Sequence, residues 1–292
     1  MASYQGVVIY RSGANMESLK LIHGMINGAE HERISALTGE PREVIRDDDH
    51  VICLMPNDRK MDFNRPPLKG LLASLTPQAL QKVAAWYSVN ELGAARVAGR
   101  ICRGVEMAPR DDYRYRFEIW SDEVTGVPLR VALTTANHQV LEEVMFTEVS
   151  FPASLPLQAF ESELDPKRFR ITSHAAVAPA NSGPVDWSGF PVRLEVLPPG
   201  YEVKARDRRS GTGGRGNVDH LLLSDGLSAI SIFAAQGVPN ERAFSGLTQM
   251  GGVYAFGRVV GEYHVTVVGE TPAAAVRMVA EKLLPADNDA KP

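Results

Sequence analysis

The stretch from Tyr113 to Phe151 constrains this chain most. Tyr113, Tyr115, Phe117 and Ile119 alternate with Arg114, Arg116 and Glu118. A period of two places each set on its own face of an extended strand, one apolar and one charged. The run from Asp122 to Gly126 supplies turn chemistry. A second strand follows, with Val127, Leu129, Val131 and Leu133 on one face. After a polar turn over Thr134 to Gln139, a third run spans Val140 to Phe151. Strands joined by short polar turns pair antiparallel. The stretch therefore predicts an antiparallel meander, apolar on one side.

The chain before it has the same character. Gly6 to Tyr10, Glu17 to Ile26, His31 to Leu37, Glu43 to Arg46 and Val51 to Met55 are five strand candidates. They are separated by turns such as Asn27-Gly28, a spacing that predicts a meander and excludes a βαβ repeat. Thr76-Pro77 then marks a helix start, with Leu80, Val83, Ala84 and Tyr87 on one stripe to about Val89. Such a helix would cover the concave side of the sheet. Ala95 to Met107 is one further strand run, and Leu164 to Arg170 offers an edge strand.

Residues 171–186 are mostly small or polar, carry Pro and Gly and hold few large apolar residues, which is linker composition. The expected organisation is a first domain over 1–170, this linker, a second domain over 187–285 and a disordered tail over 286–292. The second domain offers strands at Phe190–Leu197, Tyr201–Ala205, Asp219–Ser224, Ser228–Ala235, Gly252–Val260 and Tyr263–Gly269. Asp225-Gly226 and Gly261-Glu262 make its hairpin turns. Thr271-Pro272 opens a last helix with Val276, Val279, Ala280 and Leu283 on its buried stripe. The fold class expected is α+β.

Of the 292 residues 44% are hydrophobic and 23% charged, an ordinary globular balance, and the net charge of −4 argues against wholesale nucleic-acid binding. No stretch reaches the ~20 apolar residues of a spanning helix. No metal motif joins the seven histidines, and no nucleophile elbow or cofactor fingerprint is present. Asp47-Asp48-Asp49-His50 could hold a cation, but a solvated turn explains it better. Gly211 to Gly216 looks like a phosphate loop, yet a strand follows it where a helix is required. That loop closes a basic stretch in which Lys204, Arg206, Arg208 and Arg209 form a candidate patch for anionic lipid or an acidic partner. No catalytic constellation emerges, so the chain is read as a binding protein and not an enzyme. Trp86, Tyr113, Tyr115 and Phe117 are core by default, or lipid-facing if the sheet leaves space under the helix. Cys53 and Cys102 are either two reduced thiols or one disulfide, depending on compartment.

Several segments resemble the RseB/MucB family. They are GVVIYRSGANMESLKLIHG, EHERISALTGEPREVIRDDDHVICLMP and the meander from Phe117 to Phe151 in the first unit. HLLLSDGLSAISIF and MGGVYAFGRVVGEYHVTVVGETPAAAVRMVA carry the resemblance in the second. The resemblance implies a periplasmic negative regulator of sigma-E (AlgU-type) envelope-stress signalling. It would bind the periplasmic domain of a membrane anti-sigma factor of RseA/MucA type and shield it from site-1 proteolysis. Lipopolysaccharide or another lipid would release it. It implies a first domain similar to LolA and LolB, a half-open antiparallel β-barrel with covering helices, and a smaller α+β domain that contacts the anti-sigma factor. A lipoprotein or lipid carrier is the alternative on the same barrel. Self-association into a homo-oligomer is expected, with no cofactor. On this reading Tyr254, Phe256, Arg258, Tyr263 and His264 are candidate anti-sigma contacts, since hot spots favour Tyr and Arg. A periplasmic home makes the Cys53–Cys102 disulfide as plausible as two thiols. The family begins with a signal peptide and a helix, so the chain is expected to be a mature or truncated form.

Overall fold

The computed structural model describes residues 2–47, 50–56, 81, 83–165, 167–175, 185, 188–209, 217–236 and 244–286. Two runs of strands build the first lobe. β1 (Tyr4–Ser12), β2 (Asn15–Ile26), β3 (Ala29–Ala36), β4 (Glu43–Asp47) and β5 (His50–Pro56) follow one another as neighbours. So do β6 (Tyr87–Val97), β7 (Arg100–Pro109), β8 (Arg116–Asp122), β9 (Pro128–Thr134) and β10 (Val140–Ser150). β1 pairs antiparallel with β10, Val8 opposite Phe146 and Tyr10 opposite Val144, and this joins the two runs. β11 (Phe169–Ala175) adds to the outside of β5, giving 11 strands. The sheet ends at β6 and β11, so the barrel is open as expected, although the sheet curls far enough for β6 to approach β10.

Alternation explains the core. Val8, Leu19, Leu21, Ile34, Leu129, Val131, Val144 and Phe146 come from the inward face of five strands and are nearly inaccessible to water. Each such side chain stabilises the sheet by about 1.5–3 kcal/mol relative to exposure. The tight turn between β2 and β3 is built by Asn27 and Gly28 at φ +53° and +85°, the left-handed pair that a two-residue hairpin requires.

The second lobe is a six-stranded antiparallel sheet. Its strands are β13 (Glu202–Arg209), β14 (Val218–Ser224), β15 (Ala229–Gln236), β16 (Gly246–Met250), β17 (Val253–Val260) and β18 (Tyr263–Gly269), in the order β13-β14-β15-β18-β17-β16. Helix α1 (Ala273–Glu281) packs on β17 and β18 through Ala275, Val276, Val279 and Ala280. β12 (Val192–Leu194) pairs with β19 (Leu283–Pro285) beside it.

Several expectations change. The first strand of the meander starts at Arg116, not Tyr113, because residues 113–115 turn toward the second lobe. The run over 95–107 is two strands, broken by a turn at Ala98 and Gly99, both at positive φ. Most of the helix expected over 76–89 lies outside the described residues. Gln81 and Val83 are helical, but Tyr87 already pairs with Pro109 in the ladder, so the helix stops short of Val89. The boundary placed at residue 170 falls inside β11, which continues the first sheet. Helix α1 starts at the expected place, yet Pro272 holds its N-cap position without a side-chain cap, and Thr271 Oγ1 is buried with no partner among the described residues. The lobes are sheet-rich, and among the described residues α1 is the one α-helix with defined ends.

Candidate functional site

The two lobes meet along a seam, and Arg114 is at its centre. Asp111 accepts the Tyr113 amide at 3.0 Å and fixes the bend that ends before β8. The bend sends the Arg114 side chain, 0% exposed, into the second lobe. Its Nε donates to Asp225 Oδ2 at 2.7 Å, and its terminal nitrogens donate to Asp111 and to the Pro199 carbonyl. The guanidinium lies 5.1 Å from the ring centroids of both Trp86 and Tyr201. Asp225 is held in turn by the amides of Leu227 and Ser228 at 2.9 and 2.7 Å. A buried guanidinium thus finds a carboxylate, a carbonyl and two aromatic faces, which offset its desolvation.

Apolar contacts complete the seam. Leu227, from the turn between β14 and β15, enters a first-lobe cluster of Val83, Tyr87, Met107, Tyr115 and Phe117. Tyr115 Oη donates to the Gly252 carbonyl at 3.0 Å, and Tyr201 Oη reaches the Tyr113 carbonyl at 3.5 Å. Burial pushes the phenols of Tyr87, Tyr115 and Tyr201 well above the ordinary tyrosine range.

The four aromatic residues expected to face lipid all come to this seam. Tyr115 and Phe117 are 5% exposed and share a cluster with Leu227. Trp86 stacks on Arg114, and Tyr113 packs against the second-lobe core. The basic patch is engaged within the chain. Lys204 pairs with Glu202 at 2.5 Å, Arg206 donates to the carbonyls of Ser188 and Gly189, and Arg208 makes a two-pronged pair with Asp219 at 3.0 and 3.1 Å. The side chain of Arg209 and residues 211–216 lie outside the described set. Of the candidate partner contacts, Tyr254, Phe256 and Tyr263 pack on the second-lobe core. Arg258 donates to the carbonyls of Ala280 and Glu281 at the end of α1, and His264 Nε2 lies 2.7 Å from the Phe244 carbonyl.

Cys53 and Cys102 are unbonded to each other, on β5 and β7 near opposite ends of the sheet order. Residues 48 and 49 of the acidic turn lie outside the described set. Glu106, Glu118 and His138 do bring ligand atoms within 4.8 Å of one another. Burial opposes ionisation of Glu106, but donation from Asn90 and Arg116, at 2.9 and 2.6 Å, outweighs it and keeps the carboxyl below its usual range. That carboxylate is already neutralised by Arg116. Sequence reasoning missed Arg114, Asp225 and Leu227 as a unit, because period-two reading assigned Arg114 to the solvated face of a strand.

Both lobes have counterparts among known proteins. The model of the MucB/RseB N-terminal domain matches residues 1–164, and that of the MucB/RseB C-terminal domain matches residues 187–284. The sigma factor AlgU regulatory protein MucB of Pseudomonas aeruginosa is 29% identical over 298 residues, covering 97% of this chain and 86% of the relative. The sigma-E factor regulatory protein RseB of Escherichia coli K12 is 23% identical, covering 92% and 81%. The solved complex of Pseudomonas aeruginosa MucA/MucB matches with a TM-score of 0.75 at 26% identity, over 98% of this chain and 94% of that one. MucB in complex with MucA(peri) matches at 0.72 and 26%, over 97% and 93%. With a family model on each lobe, the chain belongs to the MucB/RseB family.

Proposed function

We propose that this chain is a periplasmic negative regulator of sigma-E (AlgU-type) signalling. It binds the periplasmic domain of a membrane anti-sigma factor, shields that domain from site-1 proteolysis and lets go when a lipid such as lipopolysaccharide binds. The observation that carries the reading is the likeness of both lobes together to MucB solved with MucA, at a TM-score of 0.75 over 98% of the chain. A steric shield needs surface and no chemistry, which agrees with a sequence that offers no catalytic constellation. A lipid signal would enter at Trp86, Tyr113, Tyr115 and Phe117, and Leu227 would have to withdraw first. The signal would therefore act on the seam, where one event can change how both lobes meet a partner. The same occupancy by Leu227 speaks against a simple lipoprotein carrier, whose apolar face must stand open.

The test mixes the purified chain with the periplasmic segment of its anti-sigma factor and the site-1 protease. Binding by calorimetry and slower cleavage are expected, with cleavage restored by lipopolysaccharide. Equal cleavage with and without the chain would overturn the proposal.

A further inference from the structure

The seam holds a further polar contact, and it is made by two acids. Glu142 stands on β10 of the first lobe, and Glu270 follows β18 in the second. Glu142 is 6% exposed, and Glu270 comes up beside it across the seam, next to Gly252. Two carboxyl groups placed this way can hydrogen-bond each other only when one of them holds a proton. The turn between β16 and β17 brings the pair together. Gly252 sits against Leu133 and Leu141 of the first lobe and beside the Glu270 side chain.

Among the described residues, the groups placed against Glu142 carry no positive charge. Ser12 and Tyr10 face it from β1, and Ser12 Oγ donates to Glu142 Oε1 at 3.2 Å. Tyr115 approaches from the segment before β8 and Glu270 from the end of β18. β9 presents the apolar Leu133. The next residue, Glu143, lies on the opposite face with Arg130 at 2.7 Å and Arg11 at 3.8 Å. Arg114 is engaged by Asp225 and Asp111.

We propose that Glu142 and Glu270 form a proton-operated clasp between the two lobes, closed by one shared proton and loosened by its loss. Burial, and then the charge and hydrogen bond of Glu270, push the Glu142 carboxyl up from 4.5 to about 7. With the lobes apart and water admitted, it returns toward 4.5. The closed state therefore keeps its proton where the open state has lost it. Below about pH 4.5 both states are protonated and the clasp is at full strength. Between that value and about 7 closure weakens, by up to about tenfold per pH unit, and above 7 the loss levels off. The clasp makes the joint between the lobes a sensor of mild acidity, independent of any partner.

The experiment uses the full chain alone. Small-angle scattering across about pH 5 to about pH 8 should show wild-type particles expanding as pH rises. Glu142→Gln should hold a constant radius across that range, Glu270→Gln should expand less than wild type because only burial still raises Glu142, and Glu143→Gln should follow wild type. Should one glutamine variant fail to fold by circular dichroism, the other carries the test. A wild-type radius constant across the range, or glutamine variants that track wild type, would overturn the clasp. Because no anti-sigma segment is present, this result is separate from that of the cleavage assay.

Discussion

Arg114 and Asp225, 111 residues apart in sequence, meet at 2.7 Å with both side chains fully buried, one from each lobe. Removing one partner would leave the other charge stranded in the seam, at a cost of about 3–5 kcal/mol. We expect Arg114→Ala and Asp225→Ala each to lower stability by that order and to split urea unfolding into two transitions, one per lobe. Arg114→Met with Asp225→Leu should lose less than the two singles together, since no charge remains unpaired. Single variants within ~0.5 kcal/mol of wild type would mean the pair does not hold the seam.

Gly200 provides a second test of the same contact. Its φ is +77°, and a Cβ there would overlap the Trp86 indole. Gly200→Ala combines backbone strain with overpacking and should cost roughly 1–3 kcal/mol. Adding Trp86→Leu should recover part of this in thermal melts, because the ring is gone while the strain remains. No recovery would show that the indole does not occupy that place.

The sheet was legible because its signals are local. Alternation over Val140–Phe151 and the Asn27-Gly28 turn each report on neighbouring residues, and β10 and the β2–β3 hairpin form there. The break in the run over 95–107 was not legible, since it turns on Ala98 at φ +46°, a residue that turn rules do not flag. β16 was missed for lack of alternating burial: it lies at the sheet edge with four of its five residues exposed. The seam was legible only in part. Trp86, Tyr113, Tyr115 and Phe117 stood out as a set, but their partners Tyr201, Asp225 and Leu227 belong to another lobe. Pairing across such a distance in sequence leaves no periodicity to read.

The separation of the two cysteines makes a simple prediction. A disulfide would constrain the unfolded chain and add about 2–4 kcal/mol. We expect a strong reductant to leave the melting temperature unchanged. Burial raises the Cys102 thiol above its ordinary range, so it should react slowly with a thiol reagent until the protein unfolds. A fall in melting temperature on reduction would restore the bond between Cys53 and Cys102.

Acid stability should depend on Asp122, which closes the turn between β8 and β9. The Arg100 guanidinium, at 2.8 and 3.0 Å, holds its carboxyl well below the usual range, and the Thr125 amide and hydroxyl, at 2.9 and 2.8 Å, reinforce this against burial. A carboxyl depressed on folding stabilises the protein above its unfolded value near 3.8 and loses that contribution as pH falls through the folded one. Asp122→Asn should therefore flatten the acid limb of a plot of urea midpoint against pH, with the difference from wild type largest near neutrality. Asp122→Ala also strands the Thr125 amide and should cost about 1–3 kcal/mol at neutral pH. An acid limb unchanged in Asp122→Asn would assign the acid sensitivity of the first lobe to other carboxylates.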